Sequence, residues 1–233
     1  MADRPSLPRQ SRLIACALIP WLLGLLLGIS SCQSGPKPFP WTAEAMKGPF
    51  PRPEAVLEQI NLLRQHPASF IRDLKAYRAR FEGHRVRLSR NEMLLTQEGP
   101  RAVDEAIAFL GTSSPLPPVR LSRGMSRAAL DHVRDLGPRG TTGHTGKNGS
   151  TPHDRMSRYG KAEIGVAENL EFGPATARDV VMMLLIDDGV PDRGHRRNFF
   201  TRNFRMLGIA CGPHAVYGRM CVIDFAGAFS EAN

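Results

Sequence analysis

Four side chains in the second half of the chain have the types needed for acid–base or metal chemistry: His144, Glu168, Asp187 and His195. Asp187 continues the apolar face predicted for the helix before it, and a buried carboxylate is costly unless a positive group or a metal meets it. Two imidazoles and two carboxylates suit Zn²⁺ or a related divalent ion, with His144, His195 and Glu168 as candidate ligands. Their spacings match no general metal motif, so a hydrogen-bonded polar cluster is the stronger interpretation. Asp188 is the alternative to Asp187.

His144 and Glu168 are predicted to lie outside regular helices. The glycine-rich stretch 137–160 around His144 is typical of a long surface loop, and long loops in small domains are often functional. Within it, Thr151 can open one short helix, with Met156 facing inward. Glu168 follows a run of small residues, which allows the backbone to pass close to another element.

Helices are predicted for most of the chain between residues 57 and 189, and strands for its end. Small polar residues at Thr96, Ser122 and Thr176 are candidate N-caps. Two apolar runs, 206–211 and 220–225, predict a hairpin of buried strands. Helices first and strands last, without a βαβ rhythm, indicate the α+β class. The helical periodicity occurs in residues 57–63, 70–81, 103–110, 125–136 and 180–185.

Residues 1–32 have the anatomy of an export signal. Arginines precede the uncharged residues 13–31, and Cys32 follows at a junction that looks like a bacterial lipobox, where the cysteine is acylated. Simple secretion and an uncleaved anchor helix are the alternatives, and all three place the rest of the chain outside the cytoplasm. The proline-rich residues 33–53 predict an extended tether or, alternatively, an arm packed on the domain. The domain itself spans residues 54–233.

The charge and composition exclude several classes of protein. The net charge of +9 favours an anionic envelope polymer or lipid as partner, with solubility alone as the alternative. The basic residues are scattered, so we expect no nucleic-acid partner. One long apolar run excludes a polytopic membrane protein, and no zinc-protease, nucleophile-elbow or P-loop pattern occurs. We expect a monomer bound to a membrane through lipidated Cys32.

Two cysteines are placed symmetrically about the centre of the predicted hairpin. Cys211 and Cys221 would face each other across the two strands. An exported protein can keep a disulfide there, because its compartment is oxidising. Cross-strand disulfides need particular geometry, so two buried free thiols are the alternative.

Seven short segments stand in a characteristic order along the chain: 126–135, 143–144, 167–170, 185–189, 193–198, 207–209 and 222–225. Together they resemble the CAP superfamily, whose members are also called SCP-like proteins. Each segment alone is a weak indication, but the shared order is hard to obtain by chance. The resemblance covers roughly residues 54–229.

The resemblance implies a single α-β-α sandwich, with helices on both faces of a mainly antiparallel sheet. It also implies a central cleft formed by His144, Glu168, His195 and a second acid, which binds zinc in some relatives. Asp187 stands where many members have a glutamate, and it shortens the reach by one methylene group. Ala167 replaces the usual glycine before Glu168.

The leader, the basic charge and the absence of an activated nucleophile favour a non-catalytic domain. We expect it to be tethered in the cell envelope and to bind a lipid, a glycan or a protein. The alternative is a metal-assisted hydrolase, a protease or esterase, in which Glu168 or Asp187 activates water. A purely structural envelope component is the third interpretation. The sequence does not indicate a particular substrate.

Overall fold

The computed structural model describes residues 50–232, apart from the side chains of Ser89 and Glu92. The predicted signal peptide 1–32, the acylation of Cys32 and most of the predicted tether lie outside the described residues. Among the described helices, none has the length and apolar character needed to cross a bilayer.

Helices and strands follow one another in the order of an α+β protein. Within residues 50–232 the helices are α1 (Pro53–Gln65), α2 (Ile71–Arg78), α3 (Pro100–Thr112), α4 (Arg123–Arg139), α5 (Pro152–Met156), α6 (Ala177–Ile186) and α7 (Gly194–Phe200), and a 3-10 turn (Pro67–Phe70) precedes α2. The strands are β1 (Phe81–Glu82), β2 (Arg85–Ser89), β3 (Glu92–Leu95), β4 (Arg120–Leu121), β5 (Gly160–Phe172), β6 (Met206–His214) and β7 (Gly218–Glu231).

The main sheet has four strands in the order β4-β6-β7-β5. Strands β6 and β7 form the predicted hairpin, with Ile209 opposite Ile223. Strand β5 is antiparallel to β7 and forms one edge of the sheet, whereas the short β4 runs parallel to β6. The sheet is therefore mainly antiparallel, as the resemblance implies.

Helices cover both faces of this sheet. Successive side chains of a strand point to opposite faces, so neighbours on β7 pack in different layers. Val222 packs with Val133 of α4 on one face. Ile223 packs on the other face, in the larger core that includes Ile60 of α1 and Leu185 of α6. The predicted α-β-α sandwich is confirmed.

The helix ends next to the site follow predicted capping signals. The Ser122 hydroxyl accepts a hydrogen bond from the backbone N–H of Met125 at 3.1 Å and starts α4. Gly140, with φ of 62°, ends it in the left-handed conformation that glycine favours. Thr151 and Asp154 form a reciprocal capping box at the start of α5.

Two local predictions are wrong. Thr96 does not cap α3, which begins at Pro100 after Gly99 with φ of 65°. The Thr96 hydroxyl instead donates to the backbone oxygen of His84 at 2.7 Å. Because His84 precedes Thr96 by 12 residues, local capping patterns do not predict this contact. Phe81 lies in β1 and not in the helix predicted over residues 70–81, because α2 ends before it.

Cys211 and Cys221 are directly opposite each other on β6 and β7 and form a disulfide, as predicted. Replacing both by alanine is expected to lower the free energy of unfolding by about 2 kcal/mol, because the bond restricts the unfolded chain. Urea denaturation of both proteins under oxidising conditions measures the difference. A reductant should lower the stability of the wild type to that of the variant and leave the variant unchanged. Equal stabilities without reductant would contradict a structural role for the disulfide.

Candidate functional site

Two successive residues of β5 hold the two predicted histidines from opposite faces of the sheet. Glu168 lies on the side of α4 and α5, and Asn169 lies on the side of α7. Glu168 accepts a hydrogen bond from Nδ1 of His144 at 2.8 Å. Asn169 donates from its amide nitrogen to the backbone oxygen of His195 at 3.1 Å. Because β5 is an edge strand, loops from both layers reach each other around it.

A buried arginine holds Glu168 in its charged form. Arg155 donates to the second carboxylate oxygen of Glu168 at 2.5 Å and to the backbone oxygen of His144 at 3.1 Å. Burial alone would raise the pKa of Glu168, but the hydrogen bond from His144 and the charge of Arg155 outweigh it and lower the pKa. Glu168 therefore remains a hydrogen-bond acceptor that fixes the imidazole of His144.

His132, on α4, supports the loop that carries His144. Its Nε2 atom lies 2.9 Å from the backbone oxygen of Gly143, to which it donates. Burial lowers the pKa of His132, so its imidazole is held in the neutral form. His132 is fully buried and supports the loop from within the core.

Asp187 fixes His195 through both of its carboxylate oxygens. One oxygen accepts from Nδ1 of His195 at 2.7 Å, and the other accepts from the backbone N–H of His195 at 2.9 Å. The backbone N–H of Arg196 lies 3.3 Å from the second oxygen. Asp187 therefore binds the first turn of α7 and the imidazole on that turn.

The predicted reason for the position of Asp187 is wrong, although the residue is fully buried. Asp187 does not continue the apolar face of a helix, because α6 ends at Ile186 and Asp187 follows with φ of 58°. Arg193 holds this bend by donating to the backbone oxygen of Asp187 at 2.9 Å. Hydrogen bonds to Glu98 and Glu105 raise the pKa of Arg193 and keep its guanidinium in place.

Asp188, the alternative to Asp187, has a different role. Its carboxylate accepts hydrogen bonds from the backbone N–H groups of Gln97 and Glu98, at 2.7 and 2.8 Å. Asp188 thus fastens the segment before α3 to the end of α6. Of the two adjacent acids, Asp187 is the one bonded to a histidine.

The imidazoles of His144 and His195 lie next to each other, with ring centroids 6.2 Å apart and planes tilted by 35°. Each Nδ1 is hydrogen-bonded to a carboxylate, so Nε2 is the nitrogen of each ring that can contact a ligand. One oxygen shared by the two Nε2 atoms at about 2.8 Å would hold the centroids about 6 Å apart. A cavity of about 400 Å³ adjoins His144 and His153. We call His144, Glu168, Asp187 and His195 the two-histidine cleft.

The cleft does not fit a zinc centre of the usual kind. Two imidazoles on one tetrahedral Zn²⁺, each at about 2.1 Å, would have centroids about 5 Å apart, closer than observed. The two carboxylate oxygens of Glu168 accept hydrogen bonds from His144 and Arg155. Glu168 therefore supports an imidazole and does not supply a third ligand to a metal ion. Among the described residues no three His, Cys, Asp or Glu side chains are arranged to hold a metal ion.

Asp224 is a buried acid next to the cleft that sequence reasoning missed. It lies opposite Glu168 on the neighbouring strand β7 and is fully buried. Burial, followed by the negative charge of Glu168, raises the pKa of Asp224 well above its ordinary value. A protonated Asp224 avoids repulsion with Glu168. In the sequence, Asp224 is the one carboxylic acid within the apolar run 220–225.

Replacing Asp224 with asparagine is expected to raise the melting temperature at pH 7.5. A group whose pKa is raised by folding contributes stability below its unfolded pKa, and this contribution is lost as the pH rises toward the folded value. The neutral amide escapes that loss, so the gain should disappear near pH 4. Thermal unfolding of both proteins at the two pH values measures it. Asp104→Asn, at an exposed position, is the control that should show no gain, and a loss with Asp224→Asn at both pH values would contradict the protonated acid.

The described fold and site can be compared with known proteins. The family model of the cysteine-rich secretory protein family, CAP, matches residues 57–225. No curated protein matches the chain. One similar solved structure is an extracellular protein containing an SCP domain from Bacillus anthracis, with 20% identity, a TM-score of 0.39 and coverage of 48% of this chain and 34% of that chain. Another is an outer surface protein from Borrelia burgdorferi, with 21% identity, a TM-score of 0.41 and coverage of 48% and 78%.

This chain spans about a third of the Bacillus protein. The family match, in contrast, extends from α1 to β7 and includes every residue of the two-histidine cleft. It covers well over half of the 233 residues. The chain therefore belongs to the CAP family.

Proposed function

We propose that the protein is an exported, non-catalytic binding domain that is tethered to a membrane of the cell envelope through lipidated Cys32. Its two-histidine cleft binds an oxygen-rich envelope molecule, which is a glycan or the anionic headgroup of a lipid. The export signal predicted for residues 1–32 and the net charge of +9 support this location and this class of ligand.

The geometry of the imidazole pair carries the proposal. The ring separation of 6.2 Å suits an oxygen atom held between two nitrogens, and both rings are fixed by buried carboxylates. With Nδ1–H donated to a carboxylate, a neutral imidazole accepts from a ligand hydroxyl through Nε2, and a protonated one donates to an anion. Hydroxyls and phosphates are the groups that envelope glycans and headgroups present.

The contacts of the two rings favour binding over catalysis. Among the described residues, no serine, threonine or cysteine side chain is hydrogen-bonded to His144 or His195. A nucleophile of this kind needs a base within hydrogen-bond reach to become reactive. Both oxygens of each carboxylate already accept hydrogen bonds from protein donors, which fits a role in positioning the imidazoles.

The test uses two probes: isolated peptidoglycan sacculi in cosedimentation and glycerol phosphate in calorimetry. Replacing both histidines, His144→Ala with His195→Ala, should weaken binding at least about tenfold, because two hydrogen bonds to a polar ligand are lost. His66→Ala removes an exposed imidazole that is distant in sequence from His144 and His195. It serves as the matched control, and its binding should be unchanged. Binding of neither probe, or equal binding by the double variant, would contradict the proposal.

The metal-assisted hydrolase is the second candidate. Histidines whose Nδ1–H groups are donated to carboxylates are common at metal sites, and both rings have this arrangement. Metal content of the purified chain and turnover of peptide and ester libraries separate the two candidates. Stoichiometric zinc, with turnover lost in the double variant, would replace the binding proposal.

The lipid anchor has its own test. A palmitate analogue supplied to cells that export the protein should label the wild type and fail to label Cys32→Ala. Label that remains on the variant would exclude Cys32 as the acylated residue, without affecting the proposal for the cleft.

A further inference from the structure

Exposed apolar side chains are concentrated at two hairpins of the protein. Scattered exposed apolar residues are normal, but a contiguous group marks an interaction site. Ile164 is the one large exposed hydrophobic residue that lies elsewhere within the described part of the chain. The others form what we call the hairpin surface: Leu88, Met93, Leu94 and Leu95 on the β2–β3 hairpin, and Val216 and Tyr217 in the turn between β6 and β7.

The two hairpins flank one groove. Leu94 and Leu95 line it from the β2–β3 side, and Tyr217 lines it from the β6–β7 side. The cavity between them has a volume of about 550 Å³, with Phe172 and Met183 among its apolar walls. Leu94, Leu95 and Tyr217 of the hairpin surface therefore border the same groove, which joins the two hairpins.

The β2–β3 hairpin stands apart from the main sheet. It belongs to a separate three-stranded sheet of β1, β2 and β3. Val86 is its one buried side chain among those described in β2 and β3. Leu95, by contrast, is 59% exposed. A hairpin that buries so little of its apolar surface has more to bury against a partner.

Arginines and apolar residues share the outer face of this hairpin. Directly paired residues of antiparallel strands lie on the same face. The register places Arg85 opposite Leu95 and Arg87 opposite Met93. Arg87 contacts Glu82, and both side chains remain about half exposed. Each of these two rows thus joins a cation to an apolar side chain.

We propose that the hairpin surface docks on an anionic lipid bilayer, with its apolar tips in the interfacial region and its arginines at the headgroups. Arginine side chains lay their apolar stems against hydrocarbon and keep their charges at the headgroups, so such a mixed face suits an interface. Attraction of cationic residues to anionic lipids supplies the charge complementarity. The inference goes beyond the proposed function, because none of the four cleft residues lines the groove.

The Cys32 anchor of the proposed function would bring this surface close to lipid. One lipid chain together with a basic surface holds a protein more firmly than one chain alone. Docking would also fix the orientation of the domain, which an extended tether by itself leaves open.

Hydrogen–deuterium exchange of the full chain on vesicles tests the proposal. The peptide that spans residues 83–96 should exchange at least about fivefold more slowly on phosphatidylglycerol vesicles than on phosphatidylcholine vesicles. Met93→Ser combined with Leu95→Ser should remove most of this slowing, since both positions are exposed and their replacement leaves the core intact. Ile164→Ser, at an exposed apolar position outside the hairpin surface, is the matched control and should keep it. His144→Ala with His195→Ala should keep it as well, which separates this proposal from the one for the cleft.

Three outcomes would overturn the proposal. Equal exchange on the two kinds of vesicle would remove the role of anionic lipid. Slow exchange without vesicles that is relieved by deleting residues 33–49 would show that the chain's own tether covers the surface. Slow exchange without vesicles that increases with protein concentration would show that a second copy covers it.

Discussion

Replacing Arg155 with alanine is expected to lower the free energy of unfolding by about 3–5 kcal/mol, because it leaves the carboxylate of Glu168 buried without its cation. The guanidinium and the carboxylate are both almost completely buried, with side-chain exposures of 2% and 0%. Two further hydrogen bonds, to the backbone oxygens of His144 and Ser150, are lost in the same change. Urea denaturation of the wild type and the variant measures the effect.

Arg158 supplies the matched control for this experiment. It is close in sequence and forms an ion pair with Asp131, but its side chain is 43% exposed. Exposed pairs contribute about 0–1 kcal/mol, so Arg158→Ala should change stability little. Arg155→Lys keeps the charge and loses the forked geometry, and it should lie between the two. A similar small loss for Arg155→Ala and Arg158→Ala would refute the role assigned to Arg155.

Replacing Gly208 with alanine is expected to destabilise the protein by at least about 3 kcal/mol, the upper end of the usual cost of overpacking. A Cβ atom at Gly208 on β6 would lie 2.2 Å from the backbone carbon of Met125 on α4. Backbone atoms cannot rotate away as a side chain can, so the helix and the sheet would have to separate. The melting temperature and the urea midpoint of the variant report this loss.

Gly111→Ala is the control for the glycine prediction. Gly111 lies in α3, and an added Cβ atom there would have no neighbour within 4 Å. Alanine in an open helical position should stabilise the protein by about 0.5–1 kcal/mol, since it restricts the unfolded chain and favours the helix. If Gly208→Ala were as harmless as Gly111→Ala, the close approach of α4 to β6 would be wrong.

The sequence predicted the elements that carry strong local signals. Ser122 and Thr151 cap helices as expected, because a cap depends on residues within one turn. The β6–β7 hairpin and its disulfide were also predictable, since both strands are apolar and adjacent along the chain. The resemblance to the CAP superfamily supplied the α-β-α arrangement, which local patterns alone did not indicate.

The sequence does not predict strand β5, because its side chains do not alternate regularly between apolar and polar. Glu168 and Glu171 are buried polar residues in a strand that also contains Gly165 and a register shift between Glu163 and Val166. Buried acids in a strand are tolerated only when distant groups pair with them. The partners of Glu168 come from α5 and from the loop before it, so no local pattern reveals them.

The contacts of the cleft also depend on distant parts of the chain. Helical phase predicts that Asp187 is buried, whereas a left-handed bend and Arg193 hold it in place. Arg155 lies beside Met156 in a short helix, and nothing in such a helix indicates which of its residues is buried and paired. Residue types could be recognised from the sequence, but their hydrogen bonds required the fold.

The position of β5 at the edge of the sheet has a consequence for heating. Its backbone is paired on one side only, with β7, whereas β7 lies between two partners and is also joined to β6 by the disulfide. Peripheral strands open before central ones. Glu168 and Asn169 would leave together in such an opening. The imidazole of His144 would then lose its carboxylate, and the backbone of His195 would lose its amide contact, at a temperature where the interior of the protein is still folded.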